Sequence, residues 1–466
     1  MFALCGPIGS PLHDVAALLA DLMKQEFAYT CKVIRLSQLI EEHTSKAPTA
    51  GAFDRVKQLI KSGNDLRQRF GASILADLAI REIASSRELN KEGNAFRSQR
   101  VCHIIDSVKN QEELETLRVV YRDMLYCIGV FAPLDVRVLQ LQTQMSLPQV
   151  YELVDQDSGE EMLHGQTVRD TFPKADYFLR SDGDRRSLQK RLDRLLDLVF
   201  GTSVVTPSAD ETAMYHAASA SRNSACLSRQ VGAAITDTTG KILGIGWNDV
   251  PQARGGLYRG SPEMDGRCAH WHAKCHNAEE KDALTKQIVD ALVKGELLKP
   301  EDSDRATKVV SAPVGRLIEF SRAVHAELHA IISAAQSAGH QMLGGTLYCT
   351  TYPCHACARH IVAAGLAVVR YIEPYRKSLA LKLHSDALTE NEGETSKVRI
   401  LPYDGVAPAR YLELFDISFG SRKNGCDATQ RARRDARPKC EVTLESIPAL
   451  EGLVVKRLSE QKVLAT

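Results

Sequence analysis

Two short motifs in the second half of the chain contain side chains that bind transition metals. They are His325-x-Glu327 and Pro353-Cys354-x-x-Cys357. One histidine and two cysteines make three ligands and leave the fourth position of a tetrahedral zinc ion open for water. Two thiolates nearly neutralise Zn²⁺, so a neighbouring base is needed to activate that water, and Glu327 is the candidate. The motifs therefore predict a hydrolytic zinc centre. The alternatives are a structural zinc site that lacks a ligand, and buried residues without a metal.

Two helix starts are needed to bring these four side chains together. Cys354 and Cys357 are three residues apart and share one face of a helix, which Pro353 would begin at its first position. A strand predicted at 346–350 ends just before this helix. His325 and Glu327 lie about 200° apart around a helix, so they converge only where the helix points its N-terminus at the metal. The spacing therefore predicts two helices that meet end-on around one zinc ion.

The combination of these motifs resembles the signature of zinc-dependent nucleobase deaminases. Two further segments are similar to the cytidine and deoxycytidylate deaminase superfamily: 224–233 (SACLSRQVGA) resembles the first strand of deoxycytidylate deaminases, and 246–251 (GWNDVP) resembles their substrate loop. The resemblance implies that Asn248 binds the sugar and that Arg229 binds the substrate phosphate. A turn residue and an exposed cation are the alternatives. His329 stands where the commoner family pattern has asparagine, which bears on substrate choice.

A second group of metal-binding side chains falls within nine residues between these segments. It exceeds the four ligands that zinc requires, and its members are Cys268, His270, His272, Cys275 and His276. The resemblance, which covers about residues 210–415, implies a structural zinc ion in this insertion, as in some deoxycytidylate deaminases. The alternative is a loop of unrelated polar residues.

The first 205 residues alternate short apolar runs with amphipathic stretches, of which 65–86 and 184–200 have helical spacing. This alternation predicts an α/β fold with a doubly wound parallel sheet flanked by helices. The small, polar, Pro-containing segment 201–210 indicates a domain boundary. A length of 466 residues is consistent with two or three domains.

A second domain is predicted at 206–420. Its hairpin pattern at 231–247 and its later alternation of helices and strands predict a three-layer α/β/α domain with a mixed sheet, similar to cytidine deaminases. An insertion at about 250–320 interrupts it, and 421–466 form a C-terminal extension. The basic segment 430–439 is interpreted as a solvated surface, with a nucleic-acid contact as the alternative.

The loop after the first apolar run resembles the phosphate-binding loop of P-loop nucleotide kinases. Gly6, Gly9 and Ser10 lie in the sequence GPIGSP, which precedes an amphipathic stretch whose backbone N–H groups could hold phosphate. The lysine of that motif is absent, with Leu12 following the loop. Asp106 resembles the acidic residue that holds Mg²⁺ in nucleotide kinases. We therefore expect nucleotide binding without turnover, with an inert structural domain as the alternative.

The overall composition favours a cytoplasmic enzyme. The net charge of +1 provides no global field for binding nucleic acid, and no apolar run reaches the length of a membrane span. The N-terminus resembles a buried strand rather than a signal peptide, and the 12 cysteines are expected as thiols and metal ligands.

A kinase-like domain joined to a deoxycytidylate-type deaminase resembles a group of bacterial antiphage proteins. This resemblance implies deamination of dCMP or dCTP to dUMP or dUTP, and depletion of the nucleotide pool that phage replication needs. It also implies control by a regulatory nucleotide or a small inhibitory RNA, and we expect a homo-oligomer. The alternatives are a deaminase that edits RNA or DNA, a salvage dCMP deaminase with no role in defence, and a nucleotide sensor without turnover.

Overall fold

The structure is a computed structural model. It describes residues 1–44, 51–89, 100–159, 168–181, 184–260, 265–374, 378–417, 423–424, 427–428, 431–439, 446–461 and 463. Contacts within the chain divide it into two compact units, one formed by 1–207 with 404–466 and the other by 208–403.

The strands and helices are numbered in chain order. The strands are β1 (Phe2–Cys5), β2 (Thr30–Arg35), β3 (Val101–Val108), β4 (Tyr126–Phe131), β5 (Tyr177–Arg180), β6 (Gly232–Thr236), β7 (Ile242–Trp247), β8 (Thr346–Thr351), β9 (Val368–Glu373), β10 (Leu388–Thr389), β11 (Val398–Pro402), β12 (Gly405–Val406), β13 (Lys423–Asn424) and β14 (Asp427–Ala428). The helices are α1 (Leu12–Gln25), α2 (Leu36–Glu42), α3 (Ala52–Phe70), α4 (Ile74–Glu88), α5 (Gln111–Tyr121), α6 (Leu134–Gln142), α7 (Leu147–Gly159), α8 (Val168–Thr171), α9 (Arg185–Phe200), α10 (Ala209–Ser221), α11 (Cys268–Trp271), α12 (His276–Lys294), α13 (Ser303–Val314), α14 (Ala326–Ala338), α15 (His355–Ala363), α16 (Ala380–Leu383), α17 (Tyr411–Leu414) and α18 (Ser446–Glu460).

The first unit is built on a sheet of order β12-β5-β4-β1-β3-β2. Strands β1 to β5 are parallel, and β12 pairs antiparallel with β5. Because β1 has β3 on one side and β4 on the other, the chain reverses its direction of winding at β1, and the loop after β1 lies at the carboxyl edge where such sheets form a crevice. The doubly wound fold predicted for this region is confirmed, with one antiparallel strand added at its edge.

A buried ion pair joins two helices of this unit. Arg67 on α3 lies 2.8 Å from Glu113 on α5, and both side chains are almost fully buried. The Glu113 carboxylate also accepts the backbone N–H of Asn110, whose side chain caps α5 in return. One carboxylate therefore satisfies both a buried guanidinium and the start of a helix.

The second unit has a mixed sheet of order β10-β11-β9-β8-β6-β7. Strands β8 to β11 are parallel, whereas β6 pairs antiparallel with both β7 and β8. Gly246 faces α14 and Gly232 faces α10. Gly232 pairs with Trp247, the neighbour of Gly246, so these two helices cover opposite faces of the sheet. The predicted three-layer arrangement and the predicted hairpin are both confirmed.

Two predicted boundaries differ from the structure. The single helix expected at 65–86 is broken, because Gly71 ends α3 with φ +106° and α4 starts at Ile74. The second domain was expected to reach residue 420, but β12 pairs with β5, so the chain returns to the first unit at residue 404. No local sequence pattern marks a two-residue strand that pairs more than 200 positions away.

The basic segment predicted at 430–439 forms ion pairs with helices of the first unit. Residue 430 lies outside the described residues. The Arg433 guanidinium is 2.9 Å from Asp193 and 3.0 Å from Asp197, and it also contacts Glu26. These carboxylates neutralise the charge of Arg433. At this residue the interpretation as a solvated surface is wrong.

Candidate active site

The starts of α14 and α15 meet at the predicted metal site. His325 occupies the N-cap position of α14 and Cys354 that of α15, both with extended backbone. The Nδ1 atom of His325 lies 3.3 Å from the Sγ atom of Cys354 and 3.3 Å from that of Cys357. The end-on arrangement expected from the spacing is present. Pro353, however, precedes the N-cap of α15 instead of taking the first helical position.

These three donors suit a zinc ion. Among the described residues, they are the one group of three or more His, Cys, Asp or Glu ligand atoms that lie within 4.8 Å of one another. Hydrogen bonds with Cys357 and His325 lower the pKa of the Cys354 thiol to about 4, which favours the thiolate that binds zinc. Two sulfurs and one imidazole nitrogen form a donor set that zinc prefers, with one position left over.

Glu327 lies in the first turn of α14 and is buried, with 5% of its surface exposed. Burial raises the pKa of its carboxyl group above the ordinary value, and the nearby His325 opposes that shift. A carboxyl group with a raised pKa can take up a proton and release it again near neutral pH. The position and environment of Glu327 therefore suit a group that transfers protons beside the three donors.

Close contact between β7 and α14 fixes the start of this helix. A Cβ atom placed on Gly246 would lie 2.3 Å from the backbone nitrogen of Ala330 and 2.5 Å from the carbonyl oxygen of Ala326. The helix can approach the strand so closely only because residue 246 has no side chain. The position of His325 and Glu327 thus depends on a glycine in the predicted substrate loop.

Asn248 and Arg229, the predicted substrate ligands, lie next to each other. The side-chain oxygen of Asn248 accepts the backbone N–H of Val231 at 2.7 Å, and its amide nitrogen donates to the carbonyl oxygen of Arg229 at 2.8 Å. The guanidinium of Arg229 is paired with the carboxylate of Glu373 at the end of β9. Both side chains are thus engaged within the protein, although the Asn248 amide keeps one further N–H and one lone pair.

His329 packs against the residue that precedes Asn248. Its Nδ1 atom accepts the backbone N–H of Trp247 at 3.2 Å, and the two rings meet edge to face with centroids 4.7 Å apart. Burial lowers the pKa of His329. Trp247 is buried, and its indole N–H has no acceptor in the part of the chain that the structure describes. The histidine therefore links α14 to the predicted substrate loop.

The region that contains this site is similar to known proteins. Residues 207–373 match the family model "Cytidine and deoxycytidylate deaminase zinc-binding region". The deoxycytidylate deaminase of Enterobacteria phage T4 is 32% identical over 164 residues, which are 34% of this chain and 74% of the phage protein. That of Enterobacteria phage T2 is 31% identical over 164 residues, 34% of this chain and 76% of the phage protein.

The chain belongs to the cytidine and deoxycytidylate deaminase family. It is therefore a hydrolytic deaminase with a zinc-binding region, as the motifs predicted. Among solved structures, dCMP deaminase from cyanophage S-TIM5 is similar, with 20% identity, a TM-score of 0.23, and coverage of 42% of this chain and 99% of that protein. Its complex with dCMP and dUMP gives 20% identity, a TM-score of 0.25, and coverage of 42% and 98%.

Only three of the five residues in the second predicted metal cluster of this deaminase line a common pocket. Cys268, Cys275 and His276 line one pocket, together with Cys226 from the segment that precedes β6. His272 stacks on Trp271 with ring centroids 4.2 Å apart, and the exposed His270 lies 3.9 Å from Asp265, so neither lines the pocket. Sequence reasoning missed Cys226, which lies more than 40 positions before Cys268, although it occurs in the segment that resembles the family.

Side chains from other parts of the same unit contact the predicted phosphate-binding loop of the deaminase. The backbone N–H of Ile8, between Gly6 and Gly9, donates to the carboxylate of Asp157 at 2.7 Å. The Nζ atom of Lys109 donates to the carbonyl oxygen of Gly6 at 2.7 Å and lies 3.4 Å from Asp157. A carboxylate and its counterion therefore take up the position where the loop was expected to hold phosphate.

Two other residues at this loop are also engaged or enclosed. The buried Asp106, expected to resemble a magnesium ligand, bonds His13 and raises the pKa of that imidazole. The hydroxyl oxygen of Ser10 is buried and has no partner among the described residues. Neither observation adds a phosphate ligand.

None of the described helices combines the length and the apolar character that crossing a bilayer needs.

Proposed function

We propose that this deaminase hydrolyses the exocyclic amine of deoxycytidine nucleotides, dCMP or dCTP, at the junction of α14 and α15. The observation that carries the proposal is the approach of His325, Cys354 and Cys357 to within 4.8 Å, two residues from the buried Glu327. The two phage relatives, both deoxycytidylate deaminases, support the substrate class.

In the proposed mechanism, His325, Cys354 and Cys357 hold the zinc ion. When bound, zinc supplies the Lewis acidity that makes water a stronger acid and hence a better nucleophile near neutral pH. Glu327 takes the proton from the attacking water and delivers it to ring nitrogen N3 of cytosine. A bond forms between C4 and the water oxygen, the C4–N4 bond breaks, and Glu327 passes the second water proton to the leaving amine. Cytosine and water thus become uracil and ammonia.

Asn248 is proposed to contact the sugar. Its two hydrogen bonds to the segment before β6 hold the amide in place, and one N–H and one lone pair remain for a hydroxyl group. Arg229 is proposed to meet the substrate phosphate only after its ion pair with Glu373 opens. Its role is therefore conditional on a rearrangement that Asn248 does not need.

A second, structural zinc ion is proposed in the pocket lined by Cys226, Cys268, Cys275 and His276. Three thiols and one imidazole are the ligand types of a closed structural site. No three of these ligand atoms lie within 4.8 Å of one another in the described structure, so zinc binding would have to draw them together. Zinc analysis of the purified protein is expected to give two ions per chain, and one after Cys275→Ser. A stoichiometry of one in the wild type would contradict this site.

The resemblance of the whole chain to antiphage deaminases supports a role in nucleotide depletion. We propose that phage-infected cells that express the wild type contain less dCTP than cells that express Glu327→Ala. Equal dCTP pools would favour the salvage function. Control by a nucleotide or a small RNA and assembly into a homo-oligomer remain predictions of the same resemblance.

The experiment that tests the activity compares five substrates. The zinc-loaded protein is incubated with dCMP, dCTP, CMP, CTP and a cytosine-containing oligonucleotide, and ammonia release is measured. We expect turnover of dCMP, dCTP or both, with little turnover of the ribonucleotides. Product from the oligonucleotide alone would instead establish a polynucleotide deaminase, and binding without any product would establish a sensor.

A further inference from the structure

Arg259 lies in the segment after β7 and packs against an aromatic ring. The guanidinium carbon lies 5.1 Å from the centroid of the Trp247 ring, and no carboxylate pairs with it in the described part of the chain. The neighbouring arginines differ: Arg229 is paired with Glu373, and Arg267 lies 2.5 Å from Asp265. An aromatic face holds a guanidinium in place without cancelling its charge, and its N–H groups stay available to a ligand.

Trp247 connects this cation to the proposed site. It precedes Asn248 in the chain, and its backbone N–H donates to His329, which lies two residues after Glu327 on α14. Because the Nδ1 atom of His329 accepts this hydrogen bond, that nitrogen carries no proton and the imidazole is neutral. The positive charge packed against Trp247 is therefore that of Arg259. The cation is thus held against the residue next to the proposed sugar ligand.

We propose that Arg259 binds the phosphate of the nucleotide substrate and so discriminates nucleotides from nucleosides. This inference rests on the proposed function, because it assumes that the sugar meets Asn248. A 5′-phosphate is joined directly to the sugar, so its ligand must lie close in space to the sugar ligand. Arg229 would have to give up the carboxylate of Glu373, whereas Arg259 has no carboxylate partner among the described residues.

The test measures binding separately from turnover. Affinities for dCMP and deoxycytidine are determined by isothermal titration calorimetry in a Glu327→Gln background, where hydrolysis is suppressed. Arg259→Ala is expected to raise the Kd for dCMP about 10- to 100-fold, the usual effect of losing a hydrogen-bonded charge pair. The Kd for deoxycytidine should change less than about twofold, because the nucleoside lacks the phosphate.

Arg254→Ala is the matched control, since Arg254 is an exposed arginine five positions earlier in the same loop. It should leave both affinities unchanged, and Arg259→Lys should keep part of the preference for dCMP. An equal loss for dCMP and deoxycytidine, an equal effect of Arg254→Ala, or no dCMP binding by any form would overturn the inference. The proposed function is judged separately, by ammonia release from dCMP by the wild type.

Discussion

Gly246→Ala is expected to disturb the site without touching any of its functional side chains. The added Cβ atom would lie 2.3 Å from the nitrogen of Ala330, whereas ordinary contacts begin at about 3.4 Å, so α14 or β7 must move by about 1 Å. Overpacking of this kind costs about 1–3 kcal/mol of unfolding free energy. A displacement of about 1 Å at the start of α14 should also lower turnover about 100-fold, because it moves His325 and Glu327 relative to the cysteines.

The assay compares this variant with Gly339→Ala at the other end of the same helix. Residue 339 has ordinary backbone angles, and its nearest atom would lie 3.9 Å from an added Cβ. Gly339→Ala should therefore stay within about 0.5 kcal/mol of the wild type in urea unfolding, with unchanged turnover. Wild-type stability and turnover in Gly246→Ala would refute the argument that this glycine positions the site.

Three further predictions concern the first unit. Burial lowers the pKa of His103 to about 4, so between pH 6.5 and 4 the unfolded chain binds more protons than the folded chain. As the pH falls through that range, His103 should lower the free energy of unfolding by up to about 3 kcal/mol. His103→Gln should therefore flatten the pH dependence of urea unfolding. Arg67→Ala leaves the buried Glu113 without its cation and should cost about 3–5 kcal/mol in the same measurement, whereas a loss below about 1 kcal/mol would contradict the buried pair. Asp157 occupies the N–H of Ile8, so calorimetry should detect no saturable ATP binding by the wild type and a gain in Asp157→Ala; tight binding by the wild type would show that the carboxylate does not block the loop.

The catalytic cluster could be predicted from the sequence because its geometry depends on local spacing. His325 and Glu327 lie about 200° apart around a helix, so they can converge only at a helix start. The structure places His325 at the N-cap of α14. The one local error was Pro353, expected inside the helix and found before its cap. An error of two positions is ordinary at helix ends, since the cap itself has extended backbone.

Features that depend on distant partners could not be predicted. The ion pair of Arg229 is one example, because its partner Glu373 lies 144 positions away. The same limit applies to Asp157, which fills a loop nearly 150 positions earlier in the chain. Sequence patterns show which residue types are suited to bind a ligand. They do not show which side chains, distant in the sequence, pair with those residues in the folded protein.

The central claim is that a zinc centre with Glu327 as its proton carrier deaminates deoxycytidine nucleotides. The most direct measurement determines ammonia release from dCMP together with zinc content, for the wild type and for Glu327→Gln. We expect turnover by the wild type and a loss of about 100- to 10,000-fold in the variant, with the same zinc content in both. Undiminished turnover in Glu327→Gln, or no release of ammonia by the zinc-loaded wild type, would contradict the claim.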